Sequence, residues 1–130
     1  MTDRFSPSDL ELLRISKEVA IETRAAPDAP AHRAVIWIVV DPTDRVLIRT
    51  WLGPDTRWYR EAQVQPDCRL HVGGRILDVR VVPADDLERV QAYSEAVQRK
   101  YAKSKSTPSM LEPHVLPTTL QLLPGRTDAP

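Results

Sequence analysis

The amino-acid sequence predicts a mainly β fold with flanking helices, built as a small antiparallel barrel that is closed or nearly closed. Six segments of the 130-residue chain have strand patterns, in which apolar and polar residues alternate or a short apolar run is unbroken. Most of these segments are joined by short turns, so that consecutive strands become hairpin neighbours. Three further segments predict helices, and we expect them to pack on the outside of the barrel.

The first half of the chain predicts a short helix and three strands. Residues 6–9 (SPSD) supply capping residues ahead of the apolar positions between Leu10 and Ile15. Residues 19–24 alternate as in a half-buried strand, and a loop rich in proline follows. The next strand covers residues 33–40, and its apolar body indicates burial on both faces. A turn at residues 41–44 then leads into a strand at 45–50.

The second half predicts a short helix that ends near Pro66, a hairpin, a long helix and a last strand. Gly73 and Gly74 supply the positive φ angles of a tight turn between two strands. Asp85 or Asp86 opens a helix that reaches about Lys103. A long loop covers residues 104–117 and the last strand residues 118–123. We expect one domain over residues 1–124 and a disordered tail over residues 125–130.

Composition excludes several classes of function. Eighteen basic residues balance eighteen acidic ones, so the chain lacks the charge excess of a nucleic-acid or membrane-surface binder. A single cysteine, Cys68, excludes an internal disulfide framework and suits a reducing compartment. The sequence shows no signal-peptide pattern and no apolar run long enough to span a membrane. We therefore expect a cytoplasmic protein with no nucleic-acid or membrane partner.

The stretch of residues 51–60 (WLGPDTRWYR) contains two of the three tryptophans of the chain, together with two arginines. Arg57 lies at or near the start of the predicted short helix. Unpaired backbone N–H groups and the helix dipole favour an anion at that position. We expect Trp58 to close the wall beside this anion.

Strand pairing predicts more cationic groups near this stretch. If strands 33–40 and 45–50 form a hairpin, Arg33 lies near the end that carries Arg49 and Thr50. Two guanidinium groups and a hydroxyl then converge close to Arg57. The sequence therefore predicts an anion site, suited to a phosphate, formed by Arg33, Arg49, Thr50 and Arg57.

A purely structural role for the same residues stays open. Arg49 could pair with Asp55 or Glu61, and Trp58 with Tyr59 could hold the short helix against the barrel. Asp55 is also the natural N-cap of that helix. Its carboxylate would compete with an anion for the same N–H groups.

The histidines, the cysteine, the other aromatic residues and the serines do not predict a catalytic or metal site. His32, His71 and His114 lie far apart without metal-ligand spacing, so we expect no metal site. Cys68, at a strand start, is interpreted as a small buried hydrophobic residue. Trp37 is assigned to the barrel core or a dimer seam, and two tyrosines at helical spacing, Tyr93 and Tyr101, are assigned to packing. No serine occupies a nucleophile-elbow pattern.

Several sequence blocks carry a resemblance to a known family. In chain order they are RAVIWIVV from residue 33, VLIRT from 46, RWYREA from 57, HVGGR from 71 and TTLQLLP from 118. Together they resemble Domain of Unknown Function 2255 over residues 10–124. That family is similar to the split-barrel flavin-binding superfamily of pyridoxamine-phosphate oxidases and flavin or deazaflavin reductases.

The resemblance implies a six-stranded split barrel that forms a homodimer and binds a flavin at the subunit interface. Split-barrel relatives hold the flavin phosphate with basic and hydroxyl side chains, which corresponds to Arg33, Arg49, Thr50 and Arg57 here. The relatives usually carry a second glycine before the tryptophan, whereas this chain has only Gly53.

Two functions follow as hypotheses. One is an FMN- or deazaflavin-dependent oxidoreductase acting on a small molecule, in which the cofactor performs the chemistry. The other is a non-catalytic homodimeric module that binds a small ligand on the same barrel. In either case we expect residues 104–117 to act as a lid or to reach the partner subunit, because the apolar residues of so long a connection need a surface to dock on.

Overall fold

The computed structural model describes residues 4–125. Within that part of the chain there are three α-helices and seven strands, and two short 3-10 turns, Thr107–Leu111 and Leu116–Thr118, precede the last strand. The helices are α1 (Pro7–Ile15), α2 (Arg57–Val64) and α3 (Leu87–Lys100). The strands are β1 (Val19–Thr23), β2 (His32–Ile36), β3 (Ile38–Val40), β4 (Val46–Ile48), β5 (Asp67–Val72), β6 (Arg75–Pro83) and β7 (Leu120–Pro124). Apart from Gly125, the expected tail lies outside the described residues.

All seven strands form one antiparallel sheet in the order β2-β1-β5-β6-β7-β4-β3. The outermost strands, β2 and β3, are consecutive in the chain and separated only by Trp37. The sheet must therefore curl until its two edges meet at this residue. This confirms the predicted mainly β fold with flanking helices and its split-barrel architecture.

The strand count differs from the predicted six, because the segment 33–40 is broken at Trp37. Before the break Ile36 pairs with Val19 of β1, and after it Ile38 pairs with Ile48 of β4. The Trp37 ring stacks on Tyr101, with centroids 4.0 Å apart and planes 2° from parallel. One apolar run thus supplies strands to both edges of the sheet.

Both predicted turns are present. The Asp41 carboxylate accepts hydrogen bonds from the backbone N–H groups of Thr43 and Arg45, each at 2.9 Å, and closes the β3–β4 hairpin. Gly73 and Gly74 have φ angles of +53° and +80°, which glycine adopts at little cost, and join β5 to β6.

The buried apolar residues form two clusters, one inside the barrel and one between the sheet and α3. On β3 and β4, Ile38 and Ile48 belong to the first cluster, while Val39 and Leu47 belong to the second. Burial on both faces is therefore confirmed for this hairpin. It does not extend to β2, where the Val35 side chain is 66% exposed.

The packing assignments are confirmed for the cysteine and for both tyrosines. Cys68 is buried in the barrel, and that burial raises the pKa of its thiol to about 12. Tyr93 and Tyr101 are buried in the cluster under α3. Its N-cap is Asp86, one of the two residues predicted, whose carboxylate accepts from the backbone N–H of Arg89 at 3.1 Å, and the helix ends at Lys100 rather than near Lys103.

The segment between α3 and β7 packs on its own chain rather than forming an open loop. Met110 and Val115 are buried, and the Thr107 hydroxyl donates to the Tyr101 carbonyl at 2.6 Å. None of the described helices is both long enough and apolar enough to span a bilayer.

Candidate functional site

A cleft of about 630 Å³ runs along the free edge of β2, between that strand, residues 49–58 and the start of the 104–117 segment. All five side chains singled out in the sequence contribute to its lining, namely Arg33, Arg49, Thr50, Arg57 and Trp58. A larger cleft of about 910 Å³ lies over β1, β5 and β6. Its lining carries several oppositely charged pairs in contact, including Arg69 with Asp78 at 3.4 Å, so the β2 cleft is the better candidate.

No side chain caps the N-terminus of α2 with a hydrogen bond. The N-cap residue is Thr56 and not Asp55, so the predicted Asp55 cap is wrong. The Thr56 hydroxyl turns away from the helix and donates to the Gly53 carbonyl at 2.8 Å, and it lies 2.9 Å from the Thr50 hydroxyl. No acidic residue occupies the first turn. The first N–H groups of α2 therefore keep their capacity to bind an anion, beside the exposed Arg57.

Arg49 is completely buried in the wall of the cleft. Four hydrogen bonds hold its guanidinium, and their acceptors are Thr119 Oγ1 at 2.8 Å, Ser94 Oγ at 3.1 Å, the Met110 carbonyl at 2.7 Å and the Val90 carbonyl at 2.9 Å. The group also lies 4.3 Å from the centre of the Tyr93 ring. Burial lowers the pKa of Arg49 to about 10, so it remains a cation at neutral pH.

No carboxylate among residues 4–125 forms an ion pair with Arg49. Its positive charge is spread over neutral oxygens and one aromatic ring. The back of the cleft is therefore electropositive, although most of the N–H groups of Arg49 already have partners.

Arg33 and Trp58 occupy the two sides of the cleft. The Arg33 side chain is 63% exposed, and its Nε lies 3.7 Å from Glu22 Oε1, a loose ion pair. Trp58 is buried and meets Tyr59 edge to face, with ring centroids 6.2 Å apart. The sequence predicted that Arg33 would lie near Arg49 through one hairpin of strands 33–40 and 45–50. In the structure the first of these strands is broken at Trp37, and Arg33 reaches the cleft from β2, which pairs with β1 and not with β4.

His32, which lines the cleft, contacts the carboxylate of Glu61, and the sequence did not indicate this pair. His32 Nδ1 lies 3.1 Å and 3.2 Å from the two carboxylate oxygens of Glu61, and the Thr23 hydroxyl donates to Glu61 Oε1 at 2.8 Å. Burial raises the pKa of Glu61, but the bonds from Thr23 and His32 outweigh this, so the pKa lies below its usual value. His32 and Glu61 are 29 residues apart, and only the packing of α2 against β1 and β2 brings them together.

Apolar side chains are exposed at the mouth of the cleft. Val35 is 66% exposed, Trp51 56% and Leu52 62%. All three line the cleft. A ligand or a protein surface that covered them would gain the free energy of removing this area from water.

Comparison with known proteins identifies the family. Residues 9–122 match the model of a family described as an uncharacterized protein conserved in bacteria, DUF2255. The chain belongs to this family. No curated protein matches the chain at a significant level.

Solved structures with the same fold are distant in sequence. The heme storage protein HutZ from Vibrio cholerae is 14% identical with a TM-score of 0.63, over 95% of this chain and 92% of HutZ. An F420-H2 dependent reductase, FDR-A, is 14% identical with a TM-score of 0.59, over 82% of this chain and 93% of the reductase.

A third structure is the protein Atu2129, of unknown function, from Agrobacterium tumefaciens. It is 14% identical with a TM-score of 0.66, and the match covers 95% of this chain but 58% of that protein. Identities this low show a shared fold and no more.

Proposed function

We propose that the protein binds FMN or a deazaflavin coenzyme in the β2 cleft and acts as an oxidoreductase on a small molecule. The observation that carries the proposal is the uncapped N-terminus of α2, beside Arg57, in a cleft with the buried cation Arg49 in its wall. Backbone N–H groups at a helix start and a nearby guanidinium suit a phosphate group.

The five sequence-selected residues take different parts in this proposal. Arg57 and Arg33 contact the phosphate directly, because both side chains are exposed along the cleft. Arg49 contributes its charge from the wall, with one N–H left for the ligand. Thr50 holds the loop before α2 with its hydroxyl group, which bonds to the Thr56 hydroxyl and accepts a hydrogen bond from the Leu52 N–H at 3.2 Å. Trp58 forms the wall.

The remaining lining suits a planar ring system. The volume of about 630 Å³ falls in the ordinary range of small-molecule sites. Trp37 and Trp51 supply aromatic surface against which a flat ring can lie. When bound, a flavin or deazaflavin would supply hydride transfer, and the protein would supply binding, orientation and exclusion of water.

The second candidate is a non-catalytic module that binds a small anionic or aromatic ligand in the same cleft. One observation favours it: the hydrogen bonds of Arg49 are mostly satisfied within the protein, as expected of a structural residue. Gly53, followed by Pro54, also leaves the loop one glycine short of the pattern usual in the split-barrel relatives.

A spectrum and a titration separate the two candidates. Purified protein that is yellow, or that retains added FMN or reduced deazaflavin on desalting, supports the oxidoreductase. Colourless protein that binds neither coenzyme supports the module.

Arg57→Ala tests the anion site directly. A charge-assisted contact contributes about 1.5–3 kcal/mol, so we expect FMN affinity to fall by roughly ten- to a hundredfold. Arg60→Ala is the matched control, because Arg60 is exposed on the same helix but does not line the cleft. Titration calorimetry on both variants measures the difference. Equal affinities would remove Arg57 from the site.

We also propose that the protein is a homodimer whose interface adjoins this cleft. The exposed apolar residues at the cleft mouth, Val35, Trp51 and Leu52, support that placement.

A further inference from the structure

We propose that His32 is the proton-transfer group of the cleft, held by Glu61 and Thr23 so that its Nε2 atom meets the bound ligand. The role rests on the proposed function, since a ligand that is reduced or oxidised in the cleft is what would need the proton. No residue had been assigned to proton transfer by the sequence.

Three elements converge to build this group. Thr23 on β1 and His32 on β2 are directly opposite in the strand register, so their side chains lie on the same face. Helix α2 lies against both strands and places Glu61 in contact with both side chains. The Glu61 side chain is only 11% exposed, while that of His32 is 36% exposed and lines the cleft.

The hydrogen bonds determine which nitrogen of His32 faces the ligand. An ionised carboxylate only accepts hydrogen bonds, so the neutral imidazole must donate Nδ1–H to Glu61. Nε2 then carries the lone pair, and it has no hydrogen-bond partner among the described residues. A carboxylate that accepts a hydrogen bond from one ring nitrogen fixes the tautomer and the orientation of the ring.

A second histidine–glutamate pair among the described residues, His71 with Glu22, uses the other ring nitrogen. His71 Nε2 lies 2.8 Å from Glu22 Oε1, so the carboxylate occupies the very nitrogen that His32 leaves open. The His71 side chain is only 18% exposed and does not line the β2 cleft. The chain thus provides an internal control of the same residue types.

The charges around His32 come from several elements. Glu61 faces it from α2, and Arg57 on the same helix helps to lower the Glu61 pKa. Arg33 follows His32 on β2, and Glu18 lies in the lining of the same cleft. Glu61 is the one that contacts the ring.

A reduced flavin or deazaflavin held in the cleft would supply a hydride to one atom of a polarised double bond of the substrate. The electron pair of that double bond moves to its other atom, and the Nε2–H bond of protonated His32 breaks as a new bond to hydrogen forms there. His32 becomes neutral, and solvent returns its proton through the exposed part of the ring. Glu61 stays ionised throughout and keeps its hydrogen bond from Nδ1.

Diethyl pyrocarbonate, which acylates unprotonated and accessible imidazole nitrogens, tests the orientation without any ligand. We expect peptide mapping to show His32 modified faster than His71. Glu61→Gln should slow the His32 reaction, because the neutral amide holds Nδ1–H less firmly than the carboxylate does. Glu22→Gln is the matched control and should leave His32 unchanged.

Two further measurements complete the test. Nitrogen-15 NMR of the wild-type protein should show the neutral His32 ring protonated at Nδ1, which requires no variant to fold. Calorimetry of FMN binding in two buffers of different ionisation enthalpy should show proton uptake that His32→Gln abolishes and His71→Gln retains.

An Nε2–H tautomer, equal modification of His32 and His71, or proton uptake unchanged in His32→Gln would overturn the proposal. If neither FMN nor a deazaflavin binds the wild-type protein, the proposed cofactor is wrong. The tautomer and the reactivity of His32 still decide the orientation in that case, because neither measurement needs a ligand.

Discussion

The guanidinium of Arg49 is fully buried, yet its partners are neutral oxygens from α3, the 104–117 segment and the residue that precedes β7. The sequence could indicate an arginine at a strand end beside a candidate anion site. It could not indicate that Val90 and Met110 would supply carbonyl acceptors, because these residues lie 41 and 61 positions further along the chain. Arg49 therefore has to be considered both as part of the fold and as part of the cleft.

Arg49→Ala separates these two roles. We expect it to lower the free energy of unfolding by roughly 2–5 kcal/mol, because it leaves a cavity and several buried acceptors without a donor. Melting curves measure this loss, with Arg60→Ala as the exposed control. Unchanged stability combined with a large loss of FMN affinity would instead mean that Arg49 serves the ligand alone.

Contacts between side chains at the cleft were harder to predict than the individual residues that line it. Of the residues predicted for the anion site, Arg49, Thr50 and Arg57 lie within one short stretch of the chain, and the structure places all three in the lining of the cleft. His32 and Glu61 become neighbours only through the β1–β2 register and the packing of α2. The spacing of the three histidines along the chain indicated no metal site. It carries no information on the contact between His32 and Glu61.

Elements with their own local signals were predicted well. The Gly73-Gly74 hairpin and the Asp86 cap each depend on residues whose preferred backbone or side-chain geometry acts locally. The break at Trp37 has no such signal, because the apolar run continues through it. It depends on the end of α3, where Lys100 Nζ donates to the Ile38 carbonyl at 2.6 Å and Tyr101 stacks on Trp37.

The 104–117 segment offers a test at the scale of an element. Arg49 donates to the Met110 carbonyl, so the segment is tied to the wall of the cleft. We expect hydrogen exchange to be slow at Val115 and Thr118, whose N–H groups are bonded, and faster throughout the segment in Arg49→Ala. If the segment is a lid, FMN slows its exchange further. Exchange as fast as in the loop 24–31, with or without FMN, would contradict both expectations.

The whole molecule has no net charge, yet one cleft gathers Arg33, Arg49 and Arg57, and Glu18 is the one carboxylate that residues 4–125 contribute to its lining. Such a local excess of positive charge would favour an anion in the cleft, although the chain as a whole is neutral. The excess also lies beside the largest exposed apolar side chains of β2 and of the loop before α2. The cleft therefore has an electropositive interior and an apolar rim.

We expect a second copy of the chain to bind at this apolar rim. A stable interface buries at least about 1,000 Å², and Val35, Trp51 and Leu52 give it an apolar centre. We expect light scattering at micromolar concentration to give the mass of a dimer, and Val35→Asp to give a monomer with weakened FMN binding. Ile76→Asp is the matched control, because Ile76 is a strand residue with a similar exposure of 59% that does not line this cleft. A monomer mass for the wild-type protein would contradict the dimer. A dimer that both variants preserve would place the interface away from the cleft, and the ligand would then have to be held by residues of one chain.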